Sequence, residues 1–230
     1  MSKSIFSVIV AGGSGSRMKS VIAKQFLPLF DKPILSHTIE KFLEIPDNRI
    51  IVVLPKSDMF FWEEIIESNE LLKNAVAAGQ IKSVAGGATR FQSVNNGLNA
   101  INETRGLVAI HDGVRPLISV EKIEASFKQA AEVNSSILAV AVKDSVRQLD
   151  ENGESKVIDR SKLQLIQTPQ TFNLKLIKEA YDLGELAHFT DDASVFEHAG
   201  HTVHLMEGEY KNIKITTPDD LSVAEALMNK

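Results

Sequence analysis

Three features of the sequence predict a doubly wound α/β fold built on a mostly parallel, Rossmann-like sheet. Short β-branched apolar runs recur along the chain, longer segments of helical period separate them, and no stretch is rich enough in Pro, Gly or Ser to mark a domain boundary. Strands that are apolar along their whole length belong to a sheet buried on both faces, as parallel strands flanked by helices are.

The expected strands, in order, are Ile5 to Val10, Ile50 to Leu54, Ile81 to Ala85, Leu107 to Ile110 and Ile137 to Val142, each dominated by Val, Ile, Leu or Ala. Between and after them, helical period runs over Pro33 to Leu43, Asp58 to Ser68, Thr89 to Ile101, Ser119 to Glu132, Leu174 to Leu183, Asp191 to Ala199 and Pro218 to Met228. Ligands of such a sheet gather at the carboxyl ends of its strands. With 230 residues, 43% of them hydrophobic and 24% charged, residues 1–230 fit one compact domain with a sizeable core.

One region breaks the alternation. Residues 143–165 are polar, charged and mildly alternating, with a turn signal at Asp150-Glu151-Asn152-Gly153, and read as a long hairpin leaving the globule. An isolated two-stranded ribbon is marginal in water, so a second subunit is the economical support and a homodimer is expected; a mobile surface hairpin is the alternative.

Charge and composition exclude several classes of function. A formal net charge of -5 provides no global basic field, which argues against nucleic acid or an anionic membrane as partner, so any phosphate site must be built locally. The absence of cysteine excludes a disulfide framework, a thiolate zinc site and a cysteine nucleophile. The apolar run before Val10 is too short for a signal peptide and no stretch approaches the roughly 20 apolar residues that span a bilayer, so the expected location is the cytoplasm.

The chemistry begins at the first strand, which runs directly into Ala11-Gly12-Gly13-Ser14-Gly15-Ser16-Arg17-Met18. Glycines let backbone amides approach phosphate oxygens, although a plain tight turn also accounts for them. The loop lacks the Gly-Lys-Ser/Thr ending of a P-loop and has Met18 where a dinucleotide fingerprint has its third glycine. Arg17 and Lys24 add two cations able to clamp a triphosphate.

Further motifs follow in order: Lys24-Gln25-Phe26, Gly86-Gly87-Ala88-Thr89-Arg90-Phe91-Gln92-Ser93-Val94, His111-Asp112-Gly113-Val114-Arg115-Pro116 and Val142-Lys143-Asp144-Ser145. They continue with Asp159-Arg160-Ser161, Gln167-Thr168-Pro169-Gln170-Thr171-Phe172, Thr190-Asp191-Asp192-Ala193-Ser194 and Asn212-Ile213-Lys214-Ile215-Thr216-Thr217-Pro218. The opening motif resembles that of sugar-phosphate nucleotidyltransferases, and the Lys-Gln pair resembles their cytidylyltransferase branch. The full series resembles the 2-C-methyl-D-erythritol 4-phosphate cytidylyltransferase family over essentially the whole chain.

The resemblance implies transfer of CMP from CTP to a small polyol phosphate with release of pyrophosphate, aided by Mg2+ held mainly by the CTP phosphates. It implies nucleotide contacts from Ala11, Gly12, Gly13 and Gly15, with Gly86, Gly87 and Ser93 facing the cytosine edge. Asp112 is expected at the ribose, the polyol or the magnesium shell, Gly113 where a ligand comes close, and Arg115 at the acceptor. Arg17, Lys24 and Lys214 form the implied catalytic set, the lysine at 214 interrupting an apolar strand pattern. A surface salt bridge is the alternative for Asp112 and Arg115, and a solvent-facing lysine for Lys214. Ser145 and Arg160 are implied to reach a neighbouring subunit's acceptor site, and Thr168 and Thr190 to contact the polyol. Serine stands at 145 where the family more often has threonine, which keeps the hydroxyl. A ribitol 5-phosphate cytidylyltransferase shares several of these motifs, and a non-catalytic nucleotide-binding module would keep only the glycine loop.

Overall fold

The computed structural model describes residues 4–12 and 22–229, and the fold follows the predicted alternation with one inserted exception. Strands β1 (Ile5–Val10), β4 (Asn48–Leu54), β5 (Ile81–Ala85), β6 (Leu107–Asp112) and β7 (Ser135–Ala141) match the five expected strands to within two residues at their ends. A two-residue pair, β2 (Pro28–Leu29) with β3 (Lys32–Pro33), precedes α1 (Ile34–Leu43). The other helices are α2 (Met59–Ser68), α3 (Glu70–Ala77), α4 (Arg90–Asn99), α5 (Val120–Val133), α6 (Leu174–Tyr181), α7 (Asp192–His198) and α8 (Pro218–Met228). Of these, α3 was not expected: Asn69 leaves helical geometry and its side chain accepts from Leu72 N, which ends one helix and caps the next.

The main sheet has seven strands in the order β11-β7-β10-β6-β1-β4-β5, where β10 is Gln164–Asn173 and β11 is Leu205–Glu207. β10 lies between β6 and β7 and is antiparallel to both, while the remaining pairs are parallel. Its Gln-rich sequence with Pro169 conceals a central strand, because proline cannot donate to a ladder. The register shifts between Ile166 and Gln170, so Pro169 falls where the ladder is interrupted.

Along β1 the side chains alternate between two cores, one on each face of the sheet. Phe6, Val8 and Val10 join Val94 and Leu98 of α4 and Tyr181 of α6, and Ile9 joins Leu35, Ile39 and Phe42 of α1 and Phe127 of α5. Burial on both faces is what made these strands read as unbroken apolar runs. Thr89 and Ser119 cap α4 and α5 through Gln92 N and Lys122 N, and Asp191 and Thr217 open α7 and α8 with capping boxes.

The hairpin is real but shorter than expected. β8 (Val146–Leu149) and β9 (Ser155–Ile158) pair only with each other, and the outgoing chain from Gln164 enters the main sheet as β10. Its turn closes through Gly153 N on Asp150 O at 3.1 Å and Asn152 N on Asp150 Oδ1 at 2.9 Å, with Gly153 at φ +82°. The expected strand through Asn212 to Ile215 is absent: this segment is irregular, and Ile213 and Ile215 pack beneath α8 with Leu29, Ile34 and Val114 rather than joining a ladder. Among the described residues, no helix is long and apolar enough to cross a membrane.

Candidate active site

The parallel pairing brings the carboxyl ends of β1, β4, β5 and β6 to one edge. Val10 is in register with both Val53 and Asp112, and Leu54 with Ala85. Backbone bonds extend that alignment past the strands: Ala11 N to Val53 O, Gly86 N to Leu54 O and Gly113 N to Val10 O, each 2.8 Å. Gly12, Gly86, Gly87, Arg90 and Ser93 thereby share the lining of a cavity of about 220 Å³ with Val10, Val53 and Pro55.

The glycines serve this edge in different ways. A Cβ on Gly86 would stand 2.8 Å from Ser93 Oγ, and one on Gly87 would collide with the Gln92 side chain, so the turn admits no side chain. At Gly113 a Cβ would lie 2.9 Å from Leu35 Cδ1 and 3.0 Å from Ala11 Cβ, so its bareness serves packing. Ser93 braces the turn: its hydroxyl accepts from Gly87 N at 3.1 Å and donates to Thr89 O at 2.9 Å. Ser93 thus braces the turn while lining the cavity.

Beside the cavity lies a buried carboxylate ringed by cations. Asp112 Oδ2 receives Lys214 Nζ at 2.9 Å and Arg115 Nε at 3.3 Å, and Asp112 Oδ1 faces Arg90 Nε at 3.9 Å. The Asp112 side chain is 10% exposed and that of Arg115 12%, so the pair is an interior one and not a surface salt bridge. Burial alone would raise the Asp112 pKa, but the fields of Arg90, Lys214 and Arg115 outweigh it and hold the carboxyl well below its usual range. Lys214 is 41% exposed and turns inward to Asp112 from a loop held by Ile215 N on Val114 O at 3.0 Å. The expected inward cation is therefore present, on irregular chain instead of a strand. Thr168 is buried and its Oγ1 accepts from Asp112 N at 3.1 Å, making it a support of the carboxylate's backbone.

His111 lies beneath this cluster, fully buried against the Phe42 ring, with Nε2 3.2 Å from Arg115 O. Burial pushes its pKa from 6.5 down to about 4, so the folded protein holds it neutral. A histidine depressed in the folded state contributes stability above its unfolded pKa and loses it as pH falls toward the folded value. Acidification from pH 6.5 to about 4 should therefore remove stability, up to about 3 kcal/mol from this group. Denaturant titrations across that range test this; His111→Gln with an undiminished acid sensitivity would place the effect elsewhere.

Four participants were not named from the sequence, although Arg90, Asp192 and Asn212 fall inside motifs singled out there. Arg90 donates to both oxygens of Asp192, at 2.8 and 2.7 Å, and Tyr181 donates to Asp192 Oδ1 at 2.7 Å. Asn212 is buried, donates to Thr168 O at 2.8 Å, and accepts Arg115 Nη1 on its carbonyl at 2.8 Å. A signal for Arg90 was available: a cation in the first turn of a helix opposes the helix dipole and needs a compensating anion.

The remaining predicted residues are placed as follows. Lys24 opens a 3-10 turn anchored by the buried Gln25, whose Nε2 donates to Asp58 Oδ2 at 2.9 Å. Thr190 is exposed and lines a second cavity of about 220 Å³ with Arg90, Tyr181 and Asp191. Ser145 and Arg160 are exposed at the hairpin, where Arg160 donates to Lys143 O. Gly13, Gly15 and Arg17 lie outside the described residues.

Comparison with known proteins finds relatives that match nearly the whole chain. The family model for 2-C-methyl-D-erythritol 4-phosphate cytidylyltransferase (IspD) matches residues 5–230. The protein of that name from Bacteroides fragilis is 45% identical over 224 residues, covering 96% of this chain and 98% of that one. The solved structure of 4-diphosphocytidyl-2C-methyl-D-erythritol synthase from Anaerococcus prevotii is similar at a TM-score of 0.84 and 32% identity, covering 99% of this chain and 97% of the other. That of Francisella tularensis 2-C-methyl-D-erythritol 4-phosphate cytidylyltransferase gives 0.79 and 33%, covering 97% and 99%. Glycine turn, caged aspartate and inward lysine thus occupy one edge of a sheet whose sequence and topology are those of a known group, and the chain belongs to the 2-C-methyl-D-erythritol 4-phosphate cytidylyltransferase family.

Proposed function

We propose that the cavity at Gly86 and Ser93 receives CTP and that Lys214 and Arg115, both paired to Asp112, meet the reacting phosphates. The chain is a nucleotidyltransferase: it joins the CMP part of CTP to 2-C-methyl-D-erythritol 4-phosphate and releases pyrophosphate, forming 4-diphosphocytidyl-2-C-methyl-D-erythritol in the non-mevalonate isoprenoid pathway. The observation that carries the placement is the convergence of Arg90, Arg115 and Lys214 on one buried carboxylate at the carboxyl edge of the sheet.

The acceptor phosphate oxygen attacks the α-phosphorus in line, and pyrophosphate leaves with the electrons of the broken Pα–O bond on its β-phosphate oxygen. That nucleophile is ionised at neutral pH and needs no general base. The difficulty is the approach of two anions, which Lys214, with Lys24 and Arg17, offsets as charge shifts to the leaving pyrophosphate. Among the described residues no group of three or more His, Asp or Glu side chains could hold a metal, and Asp112 is already paired. This donor set does not make a protein-held metal centre; it suits Mg2+ carried mainly on triphosphate oxygens with at most one carboxylate, Asp112. Such an ion would neutralise triphosphate charge.

The test is pyrophosphate release with CTP and each of two acceptors, methylerythritol 4-phosphate and ribitol 5-phosphate. Turnover confined to the first is expected; preference for the second reassigns the substrate, and none with either leaves a nucleotide-binding module.

The acceptor site is shared between two subunits through the 143–165 hairpin. Supporting this, Leu149 and Val157 are exposed on a ribbon that pairs only with itself, and the groove at its root is lined by Leu205, Met206 and Tyr210. If Arg160 serves the neighbouring site, mixing inactive Lys214→Ala and Arg160→Ala protomers restores about one quarter of parental activity, because half of the dimers are mixed and each has one sound site. Mixed dimers that stay inactive would place Arg160 within its own subunit or outside the reaction. A CTP-consuming enzyme with no membrane-spanning helix among its described residues also fits a cytoplasmic location.

A further inference from the structure

Arg90 stands between two carboxylates that are far apart in sequence. On one side its guanidinium fork engages both oxygens of Asp192, which is fully buried and also accepts from Tyr181. On the other, its Nε faces Asp112 Oδ1 at 3.9 Å, an ion pair longer than a hydrogen bond. The remaining partners of Asp112 are gathered on the opposite oxygen, Oδ2. The two ends of the carboxylate thus face different cations, and Arg90 is fixed from behind by a second buried acid, where Arg115 is held by the Asn212 carbonyl.

That backing is rigid. The Tyr181 ring stacks on Phe91 at 4.5 Å between centroids, and Phe91 is the residue next to Arg90 on α4. Asp192 begins α7, where a carboxylate is favoured by the helix dipole. Arg90 begins α4, where a cation is disfavoured, so its placement is explained by the two acids and not by local preference. A lysine would supply the charge but not the planar two-pronged grip.

We propose that Arg90 is a positioning residue for the transfer reaction: clamped by Asp192 and Tyr181, it fixes Asp112, and through Asp112 sets where Lys214 and Arg115 meet the substrate phosphates. This rests on the placement of the reaction at Asp112. Arg90 contributes by geometry, so its removal misplaces the other cations without emptying the substrate sites.

Deleting one partner alone would leave a buried charge unpaired and endanger folding. The test therefore uses the neutral pair Arg90→Gln with Asp192→Asn, which keeps hydrogen-bonding groups and leaves no lone ion. Misplacement on the scale of 1 Å can cost about 100-fold in rate, so the double variant is expected to lose between about tenfold and 100-fold in kcat, with KM for CTP and for the acceptor within about threefold of the parent. Arg90→Lys alone, which keeps the charge facing Asp112, should retain more kcat than the double variant. A folded double variant with kcat within threefold of the parent overturns the inference and leaves the pair a structural tie. A fall in kcat matched by a large rise in both KM values overturns it as well, because that is loss of the site. A parent without turnover overturns the placement of the reaction and this inference together, which a parallel parental assay distinguishes.

Discussion

Lys214→Ala is expected to lower turnover by about 100-fold or more while leaving the thermal midpoint nearly unchanged. The two halves of that expectation have separate causes. Lys214 Nζ lies 2.9 Å from Asp112 Oδ2, so it is aimed at the cluster, yet its side chain is 41% exposed and exposed ion pairs contribute little to stability. In the transition state the same charge meets phosphate oxygens that gain negative charge, where a preorganised cation has its largest effect. Lys214→Arg tests the geometry, since it keeps the charge on a wider head and should recover only part of the rate. An unaltered rate in a correctly folded Lys214→Ala protein would make this lysine a solvent-facing one that happens to meet Asp112.

Asp112→Asn is expected to damage both turnover and stability. Arg90, Arg115 and Lys214 converge on this carboxylate, and its loss leaves them with mutual repulsion that only Asp192 offsets. Breaking a buried pair of this kind costs roughly 3 kcal/mol, which in a chain of this size lowers the thermal midpoint by roughly 6–12 °C. Affinity for free pyrophosphate should be equal or tighter, because the cluster becomes more positive. Turnover should nevertheless fall about 100-fold or more, because the cations are no longer held where the reacting phosphates need them. Calorimetry with pyrophosphate and a melting curve on the same sample separate these effects. Weaker pyrophosphate binding together with unchanged stability would contradict the caged-carboxylate account. Acidification does not mimic the substitution near neutrality: a depressed carboxyl contributes stability above its unfolded pKa, near 4, and loses it only below.

The parts of this fold that were legible in the sequence are those where local pattern and tertiary position agree. Val8, Ile9 and Val10 read as a buried strand because both faces of β1 are covered. Thr89 announced α4 because a capping hydroxyl acts within one turn. β10 was illegible for the opposite reason: Gln167, Thr168 and Gln170 are buried polar residues whose partners come from distant segments, and the broken register at Pro169 hides the strand's period. Asn212-Ile213-Lys214-Ile215 alternates as a strand does, yet its isoleucines pack under a helix, which alternation alone does not distinguish.

The same division runs through the site. Asp112 and Arg115 stood out because they lie three positions apart at a strand end, and Lys214 because it falls in a short motif. The Arg90–Asp192 tie spans 102 positions and involves no local rule except the misplaced cation at a helix start. Ser93 was assigned to the base, and the fold adds a second task that no local pattern announces, the bracing of the Gly87 turn.

The central claim, that CTP and the reacting phosphates meet between the Gly86 turn and Asp112, is tested most directly by a crystal structure of the protein with CTP and magnesium. The base is expected in the cavity lined by Gly12, Gly86, Gly87 and Ser93, with phosphate oxygens directed toward Lys214. A nucleotide bound elsewhere, with that cavity empty and Lys214 still closed on Asp112, would contradict it.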